Sequence, residues 1–298
     1  MPSHEAADLA GKVLFITGAA RGIGEETARR AAARGAHVAA VGMEPERLEK
    51  LVAELGPGHC WAECDVTDQS SLESAVATTV AALGGIDVVI ANAGIANHGT
   101  VAESPADVIA RVMEVNLIGV SRTVSATVAE VEKRQGYILL VSSLAAFTAL
   151  PGMAAYCGAK AGVENYGNAL RFELAYRGIG VGTAHMGWID TDLVRDVKAD
   201  SSTFEDTLKK LPYPLGALTS VEDCADAFLE GILKRKRRIF VPKAVALVAA
   251  ARPITFSWLG DLPVLAQAKQ MVPRLEEQFR KTGRTFGASS AGMGKRGT

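Results

Sequence analysis

The fold class of this chain is decided by the stretch Thr17-Gly18-Ala19-Ala20-Arg21-Gly22-Ile23-Gly24. An apolar run of strand character, Val13–Thr17, leads into it, and residues 25–34 with helical spacing follow. In this setting glycines let backbone N–H groups approach a pyrophosphate, while the helix N-terminus supplies unpaired donors and a positive dipole end. A turn that needs glycine only for its own geometry is the simpler alternative. The strand before and the helix after favour a dinucleotide-binding loop, with candidate contacts at Gly18, Arg21, Gly22, Ile23 and Gly24.

Strand-like and helical segments alternate along the first 242 residues. Further apolar runs occur at residues 38–41, 59–65, 86–91, 137–142, 179–184 and 239–241, and helical spacing occurs at 46–55, 71–83 and 154–176. Continuous apolar strands separated by helices indicate strands covered on both faces. The pattern predicts a single α/β domain over residues 1–242, a doubly wound, Rossmann-like parallel sheet of about seven strands. Residues 243–298 are predicted to form a helical C-terminal extension, disordered after about residue 287.

Length and composition exclude several classes of protein. The chain has 298 residues, 48% of them hydrophobic, and a formal net charge of −1. This apolar content excludes a disordered chain, and no run reaches the roughly 18 apolar residues of a membrane-spanning helix. The N-terminus lacks the apolar stretch of a secretory signal. Four cysteines in a chain of this length indicate reduced thiols and a cytoplasmic protein, and Cys60 and Cys64 are expected to pack rather than to bind a metal.

Polar and glycine residues follow several predicted strands or lie on the helices beside them. They are Asp65-Val66-Thr67, Asn92-Ala93-Gly94, Asn116, Ser143 and Tyr156-Cys157-Gly158-Ala159-Lys160. Together with the T-G-x-x-x-G-x-G spacing of residues 17–24, this set resembles the short-chain dehydrogenase/reductase family. The resemblance covers about residues 10 to 242. It implies an NAD(P)-dependent enzyme that interconverts a secondary alcohol and a ketone by hydride transfer.

The resemblance implies a role for each of four polar residues. Tyr156 exchanges a proton with the substrate oxygen, Lys160 binds the nicotinamide ribose, and Ser143 holds the substrate oxygen. Asn116 supports a water-linked proton path. A free tyrosine has a pKa of about 10, and this pKa must fall by roughly 3 units for the side chain to exchange protons near neutral pH. Because residues four apart share one face of a helix, and an opposite charge favours the phenolate, the Lys160 ammonium is expected to lower the pKa of Tyr156.

The choice between NAD and NADP stays open. The residue that closes the second strand is Gly42, so neither a carboxylate for the ribose diol nor an arginine for a 2′-phosphate stands there. Glu44 favours NAD, whereas Arg21 in the glycine loop favours NADP. The family pattern implies further cofactor contacts at Met43, Asp65, Val66, Asn92, Ala93, Gly94 and Thr191, in addition to Tyr156 and Lys160.

The segment after the sixth predicted strand departs from the family. Met186 stands where the family usually has a proline, which removes a rigid turn, while Gly187 and Thr191 are kept. Thr191 is expected to contact the nicotinamide carboxamide. Residues 192–215 are expected to form a mobile lid over the substrate, with an ordinary surface connection as the alternative.

Charge is divided unevenly along the chain. Residues 234–298 contain 14 Lys or Arg and three acidic residues, a net charge of +11, so residues 1–233 carry −12. The run Lys234-Arg235-Lys236-Arg237-Arg238 opens this segment, and an apolar run follows at 244–251. The extension is expected to pack on the acidic domain or at a subunit interface. The alternative is a peripheral enzyme on an anionic membrane, with a lipid or steroid-like substrate. Nucleic-acid binding is not expected, since nothing places aromatic residues in a basic groove.

The resemblance also implies a homodimer or homotetramer, with the helices around Asn116 and after Tyr156 at the main interface. A rival interpretation is a dinucleotide-binding sensor or scaffold without turnover. The presence of Ser143, Tyr156 and Lys160 counts against this rival, because binding alone needs no proton donor.

Overall fold

Seven parallel strands form the central sheet. The computed structural model describes residues 9–97, 99–200, 216–283 and Phe286. Within them the strands pair in the order β3-β2-β1-β4-β5-β6-β7. The strands are β1 Val13–Thr17, β2 His37–Gly42, β3 Cys60–Glu63, β4 Val88–Ala91, β5 Tyr137–Val141, β6 Gly180–Met186 and β7 Arg238–Val241. The strand order reverses between β1 and β4, and the carboxyl ends of the strands on either side of such a reversal form a crevice.

Helices cover both faces of the sheet, so the strands are buried on both sides. Every residue of β1, β4 and β5 is buried. One hydrophobic cluster joins the sheet to α3, α5 and α6, and the other joins it to α1, α2 and α8. The helices are α1 Gly22–Ala33, α2 Pro45–Leu55, α3 Gln69–Leu83, α4 Ala106–Met113, α5 Gly119–Lys133, α6 Ala154–Leu174, α7 Asp192–Asp200, α8 Val221–Leu233, α9 Val245–Ala250, α10 Arg252–Thr255 and α11 Trp258–Thr282.

The fold class expected from the sequence is confirmed, and the differences lie at element ends. The sixth strand extends two residues beyond its predicted end because Met186 pairs with Val241. Gly187 then donates its N–H to the Val241 carbonyl at 2.7 Å. The lid expected at residues 192–215 begins as α7, and its residues 201–215 lie outside the described ranges. The disorder expected after residue 287 also falls outside them.

The extension is attached to the domain by a buried carboxylate. Glu164 on α6 is 2% exposed, and it accepts hydrogen bonds from Arg238 at 2.7 Å and from Arg252 at 3.2 Å. Arg238 belongs to β7 and Arg252 to α10, so one side chain joins the sheet edge, the extension and α6. Burying a carboxylate is costly unless it is paired, and here two guanidinium groups pair it.

The basic run that opens the C-terminal segment is largely bound to the domain. Arg235 donates to the carbonyls of Gln135 and Gly178, and Arg237 donates to Asn168. This run precedes β7, so it lies at the amino edge of the parallel sheet. The extension begins at the opposite, carboxyl edge. Within the described ranges, no helix combines the length and the apolarity needed to cross a bilayer.

Candidate active site

The glycine loop is shaped by close approaches that exclude side chains. Gly18 and Gly22 have φ of +65° and +57°, which favours glycine. A Cβ on Gly24 would lie 2.3 Å from the Gly18 carbonyl oxygen, so Gly24 lets α1 pack against the loop. No side chain in the described part of the chain caps the first turn of α1. Its free N–H groups are therefore available to an anion.

Hydrogen bonds join the loop after β1 to the loop after β4. The Asn92 amide donates to the carbonyls of Thr17 at 3.0 Å and Gly18 at 3.2 Å. In return the Thr17 hydroxyl accepts from the backbone N–H groups of Asn92 and Ala93. These bonds lie where the strand order reverses, so they define the floor of the crevice.

Arg21 and Glu44, which were expected to compete over the cofactor, form an ion pair with each other. Arg21 Nε donates to Glu44 Oε2 at 2.8 Å, and a second bond makes the contact bidentate. Asp192 lies 3.7 Å from the same guanidinium group. Glu44 therefore neutralises the Arg21 guanidinium charge that would attract a 2′-phosphate.

Asp65 and Arg111 form a second ion pair in the crevice. Arg111 donates to Asp65 Oδ2 at 3.0 Å and to the Thr67 hydroxyl at 2.7 Å, while Thr67 donates its N–H and hydroxyl to Asp65 Oδ1. Burial alone would raise the pKa of Asp65, but the bonds from Thr67 and Arg111 outweigh it and lower that pKa. Sequence reasoning missed Arg111, because α4 carries no motif that marks it.

The structure brings Ser143, Tyr156 and Lys160 together. Ser143, just after β5, lies near enough to the Tyr156 phenol of α6 to influence the pKa of that phenol. The Lys160 ammonium lies 5.6 Å from the centre of the Tyr156 ring and donates to the Val141 carbonyl at 2.9 Å. β5 and α6 therefore position all three groups.

The prediction that Lys160 lowers the pKa of Tyr156 is wrong when only the protein's own groups act on it. Burial raises the pKa of Tyr156 to about 12, although the Ser143 hydrogen bond acts in the opposite direction. Burial also lowers the pKa of Lys160 to about 8. Each shift disfavours the charged form of its group, because burial removes the water that would solvate the charge.

Asn116 lies in a π-helical turn, Glu114–Ile118, between α4 and α5. Its amide nitrogen donates to the carbonyls of Ile95 at 2.7 Å and Val112 at 2.9 Å. Its Oδ1 is buried and has no hydrogen-bond partner among the described residues. A Cβ on Gly94 would lie 2.8 Å from this oxygen, so Gly94 keeps the space beside it open. An unpaired buried acceptor is what a bound water or ligand hydroxyl would satisfy.

Most of the predicted site residues line one cleft of about 1190 Å³, a volume that includes its open mouth. Gly24 and Ser143 are not in its lining: Gly24 packs under the loop, and Ser143 reaches the site through Tyr156. The predicted residues in the lining are Gly18, Arg21, Gly22, Ile23, Met43, Glu44, Asp65, Val66, Asn92, Ala93, Gly94, Asn116, Tyr156, Lys160 and Thr191.

The cleft fits a dinucleotide cofactor. The free N–H groups of α1 suit a diphosphate, the Gly18 and Gly94 positions leave no room for side chains, and Asn116 offers an unpaired acceptor. Thr191 lies against Gly22, since a Cβ built on Gly22 would be 3.4 Å from the Thr191 methyl group. The loops after β1 and β6 therefore meet across the cleft.

The extension also reaches this region, which the sequence did not reveal. Glu276 of α11 accepts from the Thr100 hydroxyl at 2.9 Å, and Phe279 lies so close that a Cβ on Gly99 would be 2.9 Å from its ring. Both contacts fall on the loop that continues from Ile95 in the cleft. The inner side of α11 therefore covers one of the loops that surround the site.

Comparison with known proteins agrees with this geometry. A family model for short-chain dehydrogenases matches residues 12–202. The 2,3-dihydro-2,3-dihydroxybenzoate dehydrogenase of Bacillus subtilis is 36% identical over 231 residues, 74% of this chain and 88% of that protein. A 3-oxoacyl-[acyl-carrier-protein] reductase of Vibrio cholerae is 32% identical over 69% of this chain and 84% of that protein.

A solved structure shows the same architecture. The short-chain type dehydrogenase/reductase from Mycobacterium marinum superimposes with a TM-score of 0.72 at 26% identity, over 79% of this chain and 95% of that one. The chain belongs to the short-chain dehydrogenase/reductase family. It is an oxidoreductase that acts on CH–OH groups and uses NAD or NADP.

Glu44→Gln is expected to shift cofactor preference toward NADP. The substitution removes the charge that pairs with Arg21 and that would repel a 2′-phosphate. A charge-assisted hydrogen bond contributes about 1.5–3 kcal/mol, so the ratio of NADPH to NADH affinity should rise about 10- to 100-fold. Fluorescence titration with both nucleotides measures it. Glu46→Gln, the same charge change at an exposed position of α2, should leave the ratio unchanged. A ratio that stays constant in Glu44→Gln would contradict the role of the pair.

The burial of Lys160 is expected to make stability depend on pH above about pH 8. The folded pKa, about 8, is below the ordinary value of 10.5, so between these values the unfolded chain binds more protons. The wild-type free energy of unfolding should therefore rise relative to Lys160→Met as pH increases through this window, by at most about 1.4 kcal/mol per unit. Urea denaturation at several pH values tests this. Lys133→Met, at an exposed lysine, should show no such trend, and a constant difference for Lys160→Met would refute the expectation.

Proposed function

We propose that the protein interconverts a secondary alcohol and a ketone, with Tyr156 as the proton donor or acceptor. The observation that carries this proposal is the convergence of the Ser143 hydroxyl and the Lys160 ammonium on the Tyr156 side chain. A general acid or base must lie within hydrogen-bond reach of the oxygen that changes protonation. The hydroxyl and the phenol can hold one substrate oxygen between them. When bound, NAD(P) supplies the hydride acceptor or donor and, in its oxidised form, a positive charge.

Lys160 and Asn116 support the proton transfer. The Lys160 ammonium can bind a ribose hydroxyl. Its positive charge, together with that of an oxidised nicotinamide, favours the phenolate form of Tyr156. The unpaired Oδ1 of Asn116 can accept a hydrogen bond from a water in the space beside Gly94. A Cβ built on Gly94 would lie 3.6 Å from the Lys160 ammonium, so this space also borders Lys160. This supports a proton path from the phenol toward solvent. A cofactor sensor without turnover would need none of these groups.

We propose a hydrophobic substrate, with NAD and NADP both open as cofactors. The cleft wall includes the apolar side chains of Ile95, Met186 and Leu193. These side chains favour the apolar part of an alcohol or ketone over a charged one. The relatives' substrates, a dihydrodiol and an acyl-carrier-bound ketone by their names, are both CH–OH or C=O compounds.

We also propose that the enzyme works in the cytoplasm. All four cysteines are free thiols, and none is paired although two are buried. Burial raises the pKa of Cys64 to about 11, which keeps its thiol protonated. Free thiols in a chain of this length are typical of a reducing compartment.

Tyr156→Phe is expected to lower turnover by about 10²- to 10⁴-fold, because it removes the proton that the mechanism transfers. A panel of apolar secondary alcohols and ketones with both cofactors measures turnover, and NADH titration should show nearly unchanged affinity. Tyr176→Phe, at an exposed tyrosine of the turn after α6, is the matched control and should keep full activity. Undiminished turnover in Tyr156→Phe would eliminate the mechanism.

We also propose that the protein forms a homo-oligomer in which α5, α6 and their flanking turns make the contact between subunits. Ile118, Phe172 and Tyr176 are large apolar side chains exposed on these segments. Burying each contributes about 1.5–3 kcal/mol, so a subunit contact there would be favourable.

Phe172→Glu is expected to weaken the oligomer at least about tenfold, because it places a charge in an apolar contact. Light scattering over a concentration series measures the change. Leu218→Glu, at an exposed leucine outside these helices, should leave the mass unchanged. A monomeric wild-type protein at micromolar concentration would refute the proposal.

A further inference from the structure

The extension carries a concentrated apolar surface on its outer side. Thirteen large hydrophobic residues are exposed in the described chain, and eight of them lie within residues 247–265, with exposures from 39% to 73%. We call these eight the outer face. They are Leu247, Ile254, Phe256, Trp258, Leu259, Leu262, Val264 and Leu265. A concentration of exposed apolar side chains of this kind on a folded protein indicates a contact with a partner or a membrane.

The outer face is held firmly on the domain. Arg252 is bound to Glu164, and the Thr255 hydroxyl donates to the Phe147 carbonyl at 3.3 Å. Farther along α11, a Cβ on Gly152 would lie 3.3 Å from Leu275, and Arg280 pairs with Glu103. Gly152 lies in the loop between Ser143 and Tyr156. Thr255, within the segment that carries the face, therefore lies beside the turn after β5, and the C-terminal half of α11 lies beside the loops that contain Glu103 and Gly152.

The charges around the outer face suit an anionic surface. Residues 243–298 hold nine basic residues against three acidic ones, Asp261, Glu276 and Glu277, so the extension is net positive although Arg252 is already paired with Glu164. Cations at the border of an apolar, Trp- and Phe-containing surface are typical of helices that lie in a lipid interface. The basic run at residues 234–238 cannot join this contact, because it lies at the opposite edge of the sheet.

Other occupants fit less well. The extension packs on the domain in part, as the sequence led us to expect, since Val245 is buried with Ala146 and Phe147, but these eight side chains stay exposed. A symmetric contact with a second copy would place the same patch against itself, so that Lys269 and Arg274 of both copies would be gathered at one contact. The other five exposed hydrophobic residues of the described ranges are spread over several elements, and three of them lie on the segments proposed above for the subunit contact.

We infer that the outer face docks on an anionic lipid surface and places the mouth of the cleft next to the lipid. Membrane-dissolved alcohols or ketones then reach the cleft along the inner side of α11. The delivery of substrate rests on the proposed function, whereas docking does not. Trp258 should enter the interface, since it is the exposed one of the three tryptophans.

Vesicle flotation tests the docking. With phosphatidylcholine vesicles containing about 30% phosphatidylglycerol, the full-length protein should float, and Trp258→Glu/Leu262→Glu should lower the bound fraction at least about tenfold. Lys234→Glu/Lys236→Glu, a charge change at the far edge of the sheet, should float like the wild type. Thermal unfolding checks that each variant is folded. Trp258→Phe, the milder variant, should still float but lose the blue shift of tryptophan emission on vesicle addition.

Three outcomes would overturn the inference. The wild-type protein could stay with the soluble fraction, or the double glutamate variant could float undiminished. The double variant could also show a lower oligomer mass in the absence of vesicles, which would assign the face to a subunit contact. Tyr156→Phe should float normally, so a failure of the proposed chemistry leaves flotation intact. A failure of docking, in turn, leaves turnover of water-soluble substrates unchanged.

Discussion

The hydrogen bonds between Asn92 and the end of β1 are the constraint on which the site depends. They hold the loops after β1 and β4 together where the strand order reverses. A cofactor crevice exists there because crossover helices leave β1 in opposite directions on the two faces of the sheet. Without this connection, Gly18 could not keep its approach to Ala93, and the floor of the crevice would open.

Desolvation dominates the electrostatics of Tyr156 and Lys160. The same burial raises the pKa of the phenol and lowers that of the ammonium, so both groups prefer to be neutral. A site of this kind responds strongly to any added charge, because a low dielectric screens it weakly. The protonation of Tyr156 is therefore coupled to what occupies the cleft, and the phenolate is disfavoured while no positively charged cofactor is bound.

The two ends of the extension differ in what surrounds them. Its C-terminal part meets the loops around the cleft through Leu275, Glu276 and Phe279, whereas residues 247–265 expose eight large apolar side chains. Glu164 links it to α6, one helical turn beyond Lys160. The acidic domain and the basic C-terminal segment are thus joined through specific pairs rather than through a general attraction of opposite charges.

The sequence by itself determined the α/β class, the seven strands and the residues that converge on the cleft. Alternating apolar runs and glycine spacing are local signals, and parallel strands must bring their carboxyl ends to one edge. Strand ends such as Met186 were missed because pairing with Val241, not local preference, sets them. Only the tertiary structure decided that Arg21 pairs with Glu44, that Arg111 faces Asp65, and that Tyr156 has a raised pKa. It also separated the basic run from the apolar outer face. These properties depend on distances and burial between residues far apart in the chain, which spacing along the sequence does not encode.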